Sequence, residues 1–166
     1  MKILFTVLLL VFSAQLLAKS TVNFEGKQLK YQAKARACYM GFIKVYNARY
    51  YADRSGSHQC IKLSYLRKIS AEQLGEATEK IFKKRHGNAA KKRYVKQLGR
   101  VKGSYAKVSK GSRYQYCVSP KGGVLSGNKR KSLVIRNKPF ADKLFQVWVK
   151  GTTGRKPLWN FSDCTS

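Results

Sequence analysis

Residues able to do acid–base, nucleophilic or metal chemistry are scarce in this chain. It has 4 cysteines, 2 histidines and 7 carboxylates among 166 residues, against 35 lysines and arginines. The seven acids must also serve as helix caps and ion-pair partners, which argues against a catalytic centre built from several carboxylates. His58 sits in the polar turn Ser55-Gly56-Ser57-His58-Gln59, and His86 near a helix end where a cation meets the negative pole of the dipole, so both read as structural. Cys38, Cys60, Cys117 and Cys164 form no C-x-x-C pair, so no metal site is expected. An even cysteine count in an exported chain reads as two disulfides, with free buried thiols as the other reading. The sequence contains no G-x-x-x-x-G-K-[ST], no G-x-G-x-x-G and no G-x-S-x-G, and no cofactor is expected.

What remains is charge, +28 overall, far beyond what solubility requires. Apolar content of 43% and aromatic content of 12% exclude a disordered polycation of the protamine kind. Basic runs recur at Lys83-Lys84-Arg85, Lys91-Lys92-Arg93 and Lys129-Arg130-Lys131. These are candidates for docking on an anionic surface, and a solvated face is the other reading. Within 80–156 there are 23 basic residues and a single acid, Asp142. Binding a polyanion would relieve that self-repulsion. Lipopolysaccharide, anionic headgroups and acidic polysaccharide fit better than nucleic acid, because Tyr94, Tyr105, Tyr114 and Tyr116 are more simply sheet and helix packing than base-stacking platforms.

The chain opens with Met1-Lys2, an apolar run from Ile3 to Leu17, and Ala18 before Lys19. That pattern predicts a secretory signal peptide over 1–18 and a single exported domain over 19–166, periplasmic by preference. An uncleaved anchor is the alternative.

Strands dominate the elements that must position these side chains. Val22–Phe24 and Leu29–Tyr31 flank Glu25-Gly26-Lys27 as a tight hairpin, and Phe42–Ala52 is β-rich. Cys60–Arg67 alternates, with Ile61, Leu63 and Tyr65 on one face, and Arg113–Val118 does the same. Val124–Leu125 and Ser132–Ile135 complete a meander. Ser70-Ala71-Glu72-Gln73 is a capping box that opens a helix closed by Gly87. A second helix is predicted over Pro139–Val149 and a weaker one over Ala89–Leu98. The order of elements predicts an α+β fold with an antiparallel sheet.

Four segments, KVYNARYY (Lys44–Tyr51), YLRKISAEQL (Tyr65–Leu74), KVSKGSRYQYCVSPKGG (Lys107–Gly123) and IRNKPFADKLFQVWVKG (Ile135–Gly151), together resemble the bacterial exported branch of the chalcone isomerase-like family. The resemblance implies an open-faced β-sandwich: a large antiparallel sheet, helices packed on one face, and a cleft between them. It also implies a choice between flavonoid-cyclising enzymes and fatty-acid binders. The enzymes' K-F-T segment reads Lys44-Val45-Tyr46 here, and their Q-Y-S-E segment reads Gln73-Leu74-Gly75-Glu76. Tyr46 and Leu74 therefore replace the catalytic threonine and tyrosine, and leucine cannot join a hydrogen-bond network, so the reading is non-enzymatic. Arg36 stands nearest the family's arginine, with Lys34 at the counted position. By analogy with the fatty-acid-binding relatives, Arg36 and Tyr46, with Lys44, are the candidate carboxylate-binding residues in the cleft. A strand-edge Arg36 and a merely packed Tyr46 are the alternative.

Pairing the cysteines follows from the strands. A hairpin of Phe42–Ala52 with Cys60–Arg67 puts Cys60 opposite the end of the first strand. Cys38 would then lie about 30 Å away at strand rise, beyond the roughly 7 Å that a disulfide spans. Cys38–Cys60 is therefore disfavoured, and Cys164 is expected to fasten the tail to the sheet through Cys60 or Cys38.

Overall fold

A computed structural model describes residues 21–127 and 130–164, without the side chain of Arg130. The predicted signal segment 1–18 and Lys129 lie outside the described residues.

Ten strands and three helices follow in chain order among the described residues. Strands β1 (Thr21–Phe24), β2 (Lys27–Tyr39), β3 (Ile43–Ala52) and β4 (Gln59–Tyr65) precede helices α1 (Ala71–Arg93) and α2 (Val95–Ser104). Strands β5 (Arg113–Ser119), β6 (Gly122–Gly127) and β7 (Arg130–Ile135) lead into α3 (Lys138–Phe145). The tail adds β8 (Val149–Thr153), β9 (Lys156–Trp159) and β10 (Ser162–Asp163). β1 to β7 lie side by side in sequence order, every pair antiparallel, and β10 joins the outer edge of β2. β8 and β9 form a separate hairpin. Nearest-neighbour order is what short turns enforce.

The helices start where their chemistry says they should. Gln73 N–H donates to Ser70 Oγ at 3.1 Å, and Ser70 N–H donates to Gln73 Oε1 at 3.0 Å, closing the predicted capping box. Gly87 does not end α1. Its φ of 83° makes a kink between two helical runs, and the chain winds on to Arg93. The predicted helix over Ala89–Leu98 is therefore split between the end of α1 and the start of α2, with Tyr94 between them. Asn137 Oδ1 caps α3 by accepting from Phe140 N–H at 3.0 Å. That helix stops at Phe145, short of the predicted Val149, and Trp148 is buried just beyond it.

Cross-strand partners share a face of the sheet. Ala48, Tyr50, Ile61, Leu63, Tyr114, Tyr116 and Leu125 face the helices, where Phe82, Leu98, Val101, Phe140 and Leu144 complete the main core. At roughly 1.5–3 kcal/mol per fully buried large apolar side chain, this layer is the main source of stability. A smaller cluster of Val22, Leu29, Tyr51, Cys60 and Cys117 packs on the opposite face. The result is the expected open-faced arrangement: a curled antiparallel sheet with its helices on one side.

Both disulfides are present, Cys38–Cys164 and Cys60–Cys117, and no described cysteine is free. The strand register explains why. Tyr51 lies opposite Cys60, and Cys60 lies opposite Cys117, while Ser162 lies opposite Cys38. Cys164 thus fastens the tail through Cys38. Two disulfides fit an oxidising compartment. No described helix is long and apolar enough to cross a membrane.

Candidate functional site

The expected cleft between sheet and helices is occupied by aromatic rings. Tyr46, Tyr65, Tyr114 and Tyr105 stack edge to face in succession, with centroids 5.7, 6.2 and 5.5 Å apart. Phe161 of the tail closes on Tyr46 at 5.4 Å. Behind them, Tyr105 O–H bonds the Thr78 hydroxyl at 2.9 Å, and Thr78 donates to the Leu74 carbonyl. Tyr114 accepts from Ala106 N–H, and Tyr116 donates to the Ala141 carbonyl. Burial pushes the phenols of Tyr46, Tyr65, Tyr105 and Tyr116 well above the ordinary tyrosine range. None is poised to exchange a proton near neutrality.

The predicted carboxylate pair does not form. Arg36 lies opposite Asn47, whereas Tyr46 lies opposite Ala37, so the two side chains leave opposite faces of the sheet. Arg36 Nε donates to Asn47 Oδ1 at 2.9 Å on the open face, while the Tyr46 phenol turns toward the helices. Lys44 is exposed at the start of β3, opposite Cys38. One residue of separation in strand parity undoes the pair, and the parity of β2 is itself shifted by irregularities after Tyr31 and Ala37.

The open face is organised in rows that run across the strands. One row is apolar: Tyr31, Tyr51, Cys60, Cys117, Val124 and Val134 are successive cross-strand partners. The next is cationic and polar: Lys34, Arg49, Lys62, Gln115 and Ser126. A third holds Arg36, Asn47, Ser64 and Arg113. A groove of about 530 Å³ lies over these rows, with Arg49, Lys62 and Arg113 in its wall. That volume is in the range of small-molecule sites. The β1–β2 hairpin covers the middle of the apolar row through Val22 and Leu29, leaving Val134 half exposed.

Electrostatics in the groove are one-sided. Burial, then Arg113 and then Arg49 lower the Lys62 pKa. Its ammonium rests 5.4 Å from the centre of the Tyr51 ring. Of the ten described strands, only β10 carries an acid. Three cations therefore crowd one hollow with no strand carboxylate to neutralise them, an arrangement that an anionic ligand would complete.

The described basic runs lie on α1 and at the start of β7. Lys83, Lys84 and Arg85 are exposed on α1, where Arg85 donates to the Lys150 carbonyl at 3.0 Å. Further along α1, Lys91 pairs with Glu79, Lys92 is exposed, and Arg93 lies 5.6 Å from the centre of the Tyr94 ring. Arg130 opens β7 and Lys131 is exposed beside it. The histidines sit in packing networks, as expected. His86 Nε2–H donates to the Lys143 carbonyl at 2.9 Å and ties α1 to α3. His58 Nδ1 meets both Ser57 Oγ and Asp53 Oδ2. Since the serine and the aspartate share one ring nitrogen, they cannot form a relay across the imidazole.

A curled antiparallel sheet with helices on one face defines an open-faced β-sandwich. A family model described as chalcone isomerase-like matches residues 14–158, and the chain belongs to that family. The fold is similar to that of a crystal structure of a fatty-acid-binding protein from Arabidopsis thaliana. The TM-score is 0.55 at 11% identity, over 81% of this chain and 91% of that one. No curated protein matches the sequence.

Proposed function

We propose that the protein is a non-catalytic binder of a small amphipathic acid, held on the open face. The observation that carries this reading is the adjacency of the rows. Arg49, Lys62 and Arg113 supply the anion site, and Val124 and Val134 supply an apolar path one row away for a short acyl chain. The fatty-acid-binding relative of similar fold supports the ligand class. Tyr46 and Leu74, where the family's enzymes need threonine and tyrosine, support the absence of cyclisation chemistry. The protein is a single domain over 19–166, exported to the periplasm after removal of 1–18.

The test is titration of the full chain with dodecanoate, with dodecyl maltoside as the uncharged control. Micromolar binding of the acid alone, lost when Arg49 and Arg113 are replaced by alanine, is the expected result. Equal binding of both detergents, or acid binding unchanged in that variant, would remove the groove as the site. Binding of heparin but not of dodecanoate would favour a purely electrostatic binder of polyanions with no small-molecule pocket.

A further inference from the structure

The hairpin tip between β2 and β3 repeats the left-handed backbone of the Glu25-Gly26 turn but carries apolar side chains in place of a carboxylate. Tyr39, Met40 and Phe42 are 63%, 70% and 71% exposed, a contiguous apolar projection with no packing partner in the core. Met40 has φ 53° and Gly41 φ 82°, so a large apolar side chain is held in left-handed backbone at the crest. Cys38–Cys164 clamps the base of the tip immediately behind it.

Cations flank this projection on its β3 side, and among the described residues a single acid, Asp163 of β10, lies opposite Ala37 on the other. Lys44 follows it on β3, and Leu66 N–H donates to the Val45 carbonyl at 2.9 Å, which brings Arg67 and Lys68 alongside. Gly111 N–H donates to the Tyr65 carbonyl at 2.9 Å, which places Lys110 next in line. All four cations are exposed. The turns at the opposite end of the sheet carry both signs, Glu25 and Asp53 with Arg54 and Lys121, and no comparable exposed apolar side chains among the described residues. What sets the β2–β3 end apart is that its cations flank exposed apolar side chains.

We infer that this end of the sheet docks on an anionic lipid bilayer, with Tyr39, Met40 and Phe42 entering the headgroup–acyl boundary and Lys44, Arg67, Lys68 and Lys110 meeting the anionic headgroups. A bilayer fits better than a protein partner. Three side chains on a convex tip fall far short of the roughly 800 Å² per side of a stable protein interface, whereas an interface of lipid accepts an isolated apolar wedge. The flanking charge has the sign that anionic headgroups attract. The inference is independent of the ligand groove, which lies on the open face of the sheet.

The experiment is co-sedimentation of the full chain with vesicles of 30% phosphatidylglycerol in phosphatidylcholine, and with pure phosphatidylcholine. Binding to the anionic vesicles is expected, with at least about a tenfold loss in Met40→Ser/Phe42→Ser at unchanged melting temperature. Phe42→Trp supplies the depth reading: its added fluorescence, measured against Trp148 and Trp159, should be quenched by bromine on the acyl chains. Unchanged partition of the double variant, equal binding to neutral vesicles, or an unquenched Trp at position 42 would each overturn the inference. So would a shift in sedimentation of the free protein on Met40→Ser/Phe42→Ser, which would make the tip a self-association surface. An Arg49→Ala/Arg113→Ala variant should lose dodecanoate and keep vesicle binding, which separates failure of this inference from failure of the groove.

Discussion

Replacing Lys62 by methionine should make the protein more stable and its ligand binding weaker. Methionine keeps an unbranched stem over Tyr51 and deletes the ammonium. The charge is unfavourable where it stands: burial, Arg113 and Arg49 all lower the Lys62 pKa. Because the folded state holds this proton less tightly than the unfolded chain does, protonated Lys62 costs stability at neutral pH. The cost disappears as pH rises from the lowered folded pKa toward that of free lysine. The groove is open to solvent, so the gain is about 0.5 kcal/mol at low salt. That is about 1–2 °C in melting temperature for a domain of this size. In 1 M salt, where screening acts within about 3 Å, the part due to Arg113 and Arg49 should vanish and the part due to burial remain. Binding moves the other way. One charge-assisted hydrogen bond is worth about 1.5–3 kcal/mol, so dodecanoate affinity should fall roughly 10- to 150-fold. Calorimetric titration and thermal melts at both salt concentrations read the two effects on the same samples. The alkaline limb gives a further check: wild-type binding should fade below the ordinary lysine range, whereas Lys62→Arg should hold its affinity there. Melting of Lys62→Met below wild type at both salt concentrations would assign Lys62 a packing role. Unchanged affinity would refute the anion site.

The remaining predictions concern the frame. On chain entropy alone, the 126-residue span of Cys38–Cys164 would stabilise by about 5 kcal/mol and the 57-residue span of Cys60–Cys117 by about 4 kcal/mol. The order of effects should nevertheless invert. β10 pairs only two residues, so opening Cys38–Cys164 should release the tail locally to proteases, while Cys60→Ser/Cys117→Ser should lower the global melt. Gly122 has φ 125°, and a Cβ there would collide with the Ile135 carbonyl, so Gly122→Ala should destabilise by about 2 kcal/mol or more in chemical denaturation. Burial raises the Asp53 pKa, but the His58 amide, the Ser55 and Ser57 hydroxyls and the His58 ring outweigh it and hold the carboxyl at about 2. That stabilisation is complete above the ordinary aspartate pKa and lost as pH falls through about 2. Asp53→Asn should therefore cost about 1 kcal/mol at pH 6 and nothing at pH 1.5, read by urea melts.

Elements whose signals are local are legible in the amino-acid sequence. The capping box at Ser70 and the Glu25-Gly26 hairpin each rest on residues within a few positions of one another. Disfavouring Cys38–Cys60 likewise needs only strand rise. Gly87 misleads because a positive φ ends many helices but also fits a kink, and only packing of Phe82 and Tyr94 against Phe140 decides between them. The tail strands carry little periodicity. β10 exists because Cys164 and the Asp163 carboxylate, which accepts from Arg36 N–H at 3.1 Å, hold it against β2.

The site is illegible for a reason that parity explains. Arg36 and Tyr46 can be matched to family positions one at a time, but whether they meet depends on register, and β2 shifts its register twice along its length. The cations that do converge, Arg49, Lys62 and Arg113, look ordinary in a chain with 35 of them. Their convergence emerges only once three strands are aligned. What the composition does suggest is the complement: the acids avoid every described strand but β10, gathering in turns, helices and the tail. A sheet whose helix face must be apolar has only one other place for strand cations, the open face. With no carboxylates interleaved to neutralise them, Arg49, Lys62 and Arg113 repel one another there. Burial of the Lys62 ammonium, reinforced by that uncompensated repulsion, is why its removal should raise stability while lowering the affinity for an anion.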